Sequence, residues 1–137
     1  MTIKHLIHFL LLLSSSLLIS INTNAISISD EEITKSFIGS WVPDPKDKDS
    51  SYGIGEYKID GTFEFVFFKT PKCKVPTIRG EGNWIIRDGN LIISSVSVPP
   101  GRAIIDKVIS ITGSKMVLKG ADGDLQYRIK SNTCLNK

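Results

Sequence analysis

The chain has 137 residues and carries 17 Lys+Arg against 14 Asp+Glu, a formal net charge of +3. That length is one domain of ordinary size, and 41% hydrophobic with 23% charged residues excludes a long disordered polymer. The small excess of positive charge is scattered, which excludes the clustered basic face that nucleic-acid binding requires.

Residues 1–25 read as a secretory leader. Lys4 lies in a short polar start, 6–21 is apolar apart from His8 and the serines 14–16, and Asn22-Thr23-Asn24-Ala25 is polar and ends small. A positive start, an apolar centre and a small-x-small end are the order of a cleaved signal peptide. The apolar stretch is shorter than the roughly 20 residues that a spanning helix needs. Cleavage is therefore expected after Ala25, leaving residues 26–137 as the domain, secreted or periplasmic, with no membrane anchor. Both histidines, His5 and His8, leave with the leader. A mature chain without histidine excludes a Ser-His-Asp triad, a Cys-His pair and histidine-ligated metal sites. Cys73 and Cys134 remain, and an even cysteine count in an oxidising compartment predicts a disulfide between them. It would close a loop of about 60 residues, worth about 4 kcal/mol in the chain-entropy picture.

Ser29-Asp30-Glu31-Glu32 has the form of a capping box, and Ile33, Phe37 and Ile38 follow at helical spacing, which predicts a short helix over 30–37. From Ser40 onward the period changes to two. Strands are expected over 40–44, 52–59, 62–69, 77–87, 91–98, 102–112, 115–119 and 124–130. The turns between them are marked by Asp60-Gly61, Asp88-Gly89-Asn90, Pro99-Pro100-Gly101, Gly113-Ser114 and 120–123. Eight short strands with short connections and no later helix predict an all-β fold, an eight-stranded antiparallel up-and-down barrel, since closure removes sheet edges.

Alternation assigns the faces. Phe63, Phe65 and Phe67 share the inner face of the third strand. Gly53, Gly55, Tyr57 and Ile59 are expected inside on the second, and Ile78, Gly80, Gly82, Trp84 and Ile86 on the fourth. On the eighth, Leu125, Tyr127 and Ile129 are expected inside, against Gln126, Arg128 and Lys130 outside. Glycines inside strands mark a sharp bend or space for another group. They either let aromatic rings fill the interior or leave a cavity lined by Tyr57, Phe63, Phe65, Phe67 and Trp84.

The short helix followed by Gly39-Ser40-Trp41 at the first strand resembles the G-x-W signature of the lipocalins, and 82–91 resembles the middle hairpin of short lipocalin-like domains of exported bacterial proteins. The resemblance implies an eight-stranded barrel whose closed end is plugged by Trp41. It also implies a late arginine packed across that tryptophan, for which Arg128 is the match. Because alternation puts Arg128 outside, the contact is expected at the barrel rim.

Other chemistry is not marked. Asp44, Asp47 and Asp49 lack the glycine and terminal glutamate of a calcium loop and are interleaved with lysines. Gly53-x-Gly55 and Gly80-x-Gly82 open no helix and so form no phosphate cradle. Lys69, Lys72, Lys74 and Arg79 read as a solvated basic loop, and Glu56, Glu64 and Glu81 as outward strand positions. The expectation is a non-enzymatic barrel without cofactor or metal that binds a small apolar ligand. The alternative is a protein-binding module, an inhibitor or accessory subunit, that uses the loops 43–51 and 69–76.

Overall fold

The computed structural model describes residues 28–47, 53–70, 73–95 and 102–133. The expected leader, Asp49, Lys72 and Cys134 lie outside the described residues. One helix, α1 (Asp30–Phe37), precedes eight strands: β1 (Gly39–Pro43), β2 (Gly53–Tyr57), β3 (Thr62–Phe68), β4 (Pro76–Arg87), β5 (Asn90–Ser95), β6 (Ile104–Ile111), β7 (Lys115–Lys119) and β8 (Leu125–Lys130). Each strand pairs antiparallel with the next and β8 returns to β1, so the sheet is a closed up-and-down barrel.

The ends of the barrel differ. At the helix end the connections are the tight 58–61, 88–89 and 112–114. The strand ends Pro43, Gly53, Phe68, Pro76, Ser95 and Ile104, which longer segments of the chain join, lie at the other end together with 120–124. The helix begins as its sequence dictates. The Ser29 hydroxyl accepts from Glu32 N, and Glu32 Oε2 accepts from Ser29 N, so two otherwise unpaired donors are satisfied. Its apolar face, Ile33 and Phe37, is buried over the barrel end. A helix of 8 residues gains little from its own hydrogen bonds, so packing and anchoring hold it. Asp30 supplies the anchor: its carboxylate accepts from Asp88 N at 2.7 Å and Gly89 N at 2.9 Å, stapling the helix start to the β4–β5 turn. Gly39 makes the passage from helix to strand at φ +121°, where an L side chain would be strained.

The core is densest beneath α1: Phe37, Trp41, Tyr57, Phe63, Trp84, Ile86, Leu91, Met116 and Leu118 are all buried. The two Trp84 donors reach the 58–61 turn, Nε1 to Lys58 O and the amide to Gly61 O. Two inward glycines permit close approach. A Cβ on Gly53 would lie 2.5 Å from Phe67 Cδ1, and one on Gly82 would fall on the Ser94 carbonyl oxygen. At Gly53 the Phe67 ring thus occupies the space that the absent Cβ leaves.

Two expectations are corrected. Ile59 is not inside; β2 ends at Tyr57, and Ile59 lies in the turn, 86% exposed. The facing of β8 is reversed. Leu125 and Tyr127 point outward, and Gln126, Arg128 and Lys130 point inward. Partners directly opposite in a sheet share a face, and Lys130 pairs with Trp41, Arg128 with Met116 and Gln126 with Leu118, each partner being buried. The parity of β8 is thus set by its neighbours against its own hydrophobicity.

Removal of the staple in Asp30→Ala is expected to cost about 1–2 kcal/mol, as two hydrogen bonds to a partly exposed carboxylate are lost. Asp30→Asn should cost less, because one acceptor remains. Gly82→Ala should destabilise more than Gly53→Ala, about 1–3 kcal/mol for the latter, since a ring can turn aside and a backbone carbonyl cannot. Urea midpoints of the variants read both comparisons.

Candidate functional site

The inward apolar groups near α1 are sealed. The Trp41 indole Nε1 donates to Phe37 O at 2.7 Å, and its ring packs against Phe37 with centroids 6.3 Å apart. The cation over Trp41 is Lys130, whose Nζ lies 5.2 Å from the ring centroid and donates to Ser36 O at 3.1 Å. Arg128, the match expected from the resemblance, is not that cation. Arg128 lies two residues up the same face of β8, one layer deeper into the barrel. Position 130 sits opposite Trp41 in the register, so the charge that reaches the ring comes from there. The tryptophan–lysine contact follows only from the β1–β8 pairing, which links positions about 90 residues apart, so the local pattern of β8 does not show it.

Away from α1 the interior changes character. Tyr57, Phe63, Phe65 and Phe67 form a continuous ladder of rings, with successive centroids 4.6, 5.6 and 5.3 Å apart. Tyr57 and Phe63 are buried, but Phe65 and Phe67 remain partly exposed although they face the axis. The packing of the rings therefore loosens toward the end opposite the helix. Trp84 stacks on Phe37 at 5.7 Å and belongs to the sealed end. Of the five lining candidates, Phe65 and Phe67 thus sit at the accessible end, while Tyr57, Phe63 and Trp84 form the floor beneath them.

Across the barrel from the ring ladder, β6 and β8 present a polar stripe. Arg128 and Gln126 are partly buried, and Arg128 Nη2 donates to Gln126 Oε1 at 3.0 Å. Asp106, on β6, is 8% exposed and is the buried acidic residue among those described. Gly120 brings the groups together: an added Cβ there would meet Asp122 Oδ1, Gln126 Nε2 and Asp106 Oδ1 within 4 Å. Burial presses the Arg128 guanidinium below its ordinary range, and the nearby Tyr57, Asp47 and Asp106 oppose that shift. Burial likewise raises the Asp106 carboxyl above 3.8, with Arg128 pulling it back and Asp122 adding to the rise. The Tyr57 hydroxyl is pushed far above its ordinary value by burial, so it is neutral at physiological pH. Among the described residues no ion pair within 4.0 Å involves Arg128 or Asp106.

Asp106 and Gln126 were not among the expected site residues. The signal for Asp106 was present: with Ile104 and Val108 it shares one parity of β6 and hence the inner face. Gln126 was hidden by the same reversal that hid Lys130. Asp44 and Asp47 serve the loop itself, Asp44 Oδ1 accepting from Lys46 N and Asp47 Oδ2 accepting from Tyr127 N. Among the described residues no group of three or more acidic or cysteine side chains is placed to hold a metal ion. No protein-family model, curated protein or solved structure matches the chain.

The sign of the Asp106 effect follows from its raised value. The folded state favours the protonated carboxyl, so this contribution is complete below the ordinary 3.8 and is lost as pH rises through the raised value. Asp106→Asn is accordingly expected to be more stable than the parent at pH 7, and the gain should vanish near pH 3. Urea unfolding of both proteins at the two pH values measures it.

Proposed function

We propose that the protein is a non-enzymatic, exported, lipocalin-like barrel that takes one small amphipathic ligand through the end opposite its helix. The observation that carries this reading is the gradient along the interior. Inward apolar groups are sealed beneath α1, whereas Phe65 and Phe67, equally inward, stay partly exposed beside the partly buried Gln126 and Arg128. Stacked rings on one wall suit an alkyl or aromatic body by burial of apolar surface. On the other wall Arg128 and Gln126 present donors, which suit a carboxylate or another acceptor-rich head. A buried charge is costly unless it is matched, and an anionic or acceptor-bearing ligand would match this one. The leader pattern of 1–25 supports export. A Cys73–Cys134 disulfide belongs to the same reading, supported by the even cysteine count of a chain with an export leader pattern. Docking through the loops stands second. Its apolar support among the described loop residues is Val75, 54% exposed.

Titration with anilinonaphthalene sulfonate, an anionic dye, should give saturable fluorescence with one site per chain. Arg128→Met should weaken that dye about tenfold or more, leave the neutral N-phenylnaphthylamine little changed, and keep the circular dichroism of the parent. Absence of saturation with both dyes overturns the reading. Mass spectrometry of the secreted protein should give residues 26–137 less two hydrogens, and a mass two units higher after reduction.

A further inference from the structure

We propose that the barrel associates with a second copy of itself, the outer face of β4–β5–β6 on one copy seating on the outer face of β2–β3–β4 of the next. The inference does not rest on the ligand reading; it comes from the outward residues, which that reading does not use.

On β4, β5 and β6 the sheet register aligns Ile85, Ile92 and Ile105 in one row across three neighbouring strands. Ile85 is 48% and Ile105 53% exposed, so the row stands out as a ridge. Isolated surface isoleucines need no explanation, but three in register form a patch. One pleat along, the row Arg87, Asn90, Lys107 and Lys119 runs beside it. The two central positions of this second row are uncharged Asn90 and cationic Lys107, with Arg87 and Lys119 outside them.

The other face carries two rows at the same spacing, the charged one of opposite sign and the first one apolar at two of its three positions. Ile54, Val66 and Arg79 form one row across β2, β3 and β4, and Glu56, Glu64 and Glu81 form the next. These side chains border a groove of about 500 Å³. Three carboxylates directly opposite one another repel within the sheet, and only the middle one, Glu64, has a cation in contact, Lys58. Among the described residues the ion pairs within 4.0 Å involve neither Glu56 nor Glu81.

The two faces have one geometry. In each, the apolar row and the charged row are two residues apart on every strand, about 6.6 Å, and successive strands are about 4.8 Å apart. Laying ridge on groove therefore places the cation row on the carboxylate row. The two charged rows match position by position, while Arg79 at the end of the other row falls on an isoleucine, against which its alkyl stem can lie. Glu64, already held by Lys58, falls opposite Asn90, while Glu56 and Glu81 on either side of it meet Arg87 and Lys107. Sheets stack face to face at about 10 Å in just this manner. The two surfaces differ, so the contact is heterologous, and each added copy exposes a fresh ridge and a fresh groove. The assembly is a ring or chain whose contacts are weakened by salt.

Sedimentation equilibrium of the purified protein in about 20 mM salt should show a weight-average mass that rises with concentration, returning to the monomer in about 0.5 M salt. Arg87→Glu with Lys107→Glu should weaken association at least about tenfold, as should Glu56→Lys with Glu81→Lys. Each doubly substituted protein should stay monomeric alone, whereas mixing the two pairs every ridge with a groove of opposite sign and should restore association, as should all four changes in one chain. Ile92→Lys, at the centre of the ridge, should abolish association and provides a single change should the fourfold variant fail to fold. A monomer at every concentration and salt overturns the proposal. So does association indifferent to either charge reversal, or a monomer that instead sediments with vesicles of anionic lipid.

Discussion

Trp41 is held from three directions, and the closure of the barrel depends on it. Its indole proton goes to the Phe37 carbonyl, its ring meets Phe37, and Lys130 lies over its face. These contacts tie the helix, the first strand and the last strand to one point. They also fix which parity of β8 faces the axis. Once Lys130 is turned toward Trp41, Arg128 and Gln126 must follow it inside, because β8 pairs with β7 without a register shift and successive side chains of a regular strand alternate. The charge within the barrel is therefore a consequence of how the seam is made.

That interior is two environments in one enclosure. Beneath α1, aromatic and aliphatic groups pack on all sides and exclude water. Toward the opposite end the rings of Phe65 and Phe67 continue along β3, but the facing strands offer Arg128, Gln126 and Asp106 in place of apolar contacts. Burial shifts both ionisable groups against their charged forms, and neither has a direct ion partner among the described residues. Such a stripe adds little to stability and is affordable because the sealed half supplies the cohesion.

The fold was legible because most of its strands obey their own patterns. Phe63, Phe65 and Phe67 alternate with polar residues, Trp84 and Ile86 alternate with Asn83 and Arg87, and the turn residues stand where the chain reverses. The capping box at Ser29 likewise fixed the start of the helix. β8 did not obey. Its apolar residues, Leu125 and Tyr127, are turned to solvent, where Tyr127 is engaged through its backbone by Asp44 and Asp47. Its polar residues face the core because pairing with β1 and β7 outweighs the preference of a single strand. The polar half of the candidate site was hidden for that reason, while its aromatic half, carried on a strand with clean alternation, was in plain view.

The unequal length of the connections separates two kinds of tolerance. Every strand pair except the β1–β8 seam is a hairpin, so no loop needs to carry the chain across the sheet. The short reversals near α1 are locked to the plug, the 88–89 turn by Asp30 and the 58–61 turn by Trp84. The longer segments 44–52, 69–75 and 96–103 join strand ends that meet at the far mouth instead. Grafting new sequence there would change what the mouth admits while the staves beneath it kept their alignment, so the molecule is built as a fixed vessel with an interchangeable rim.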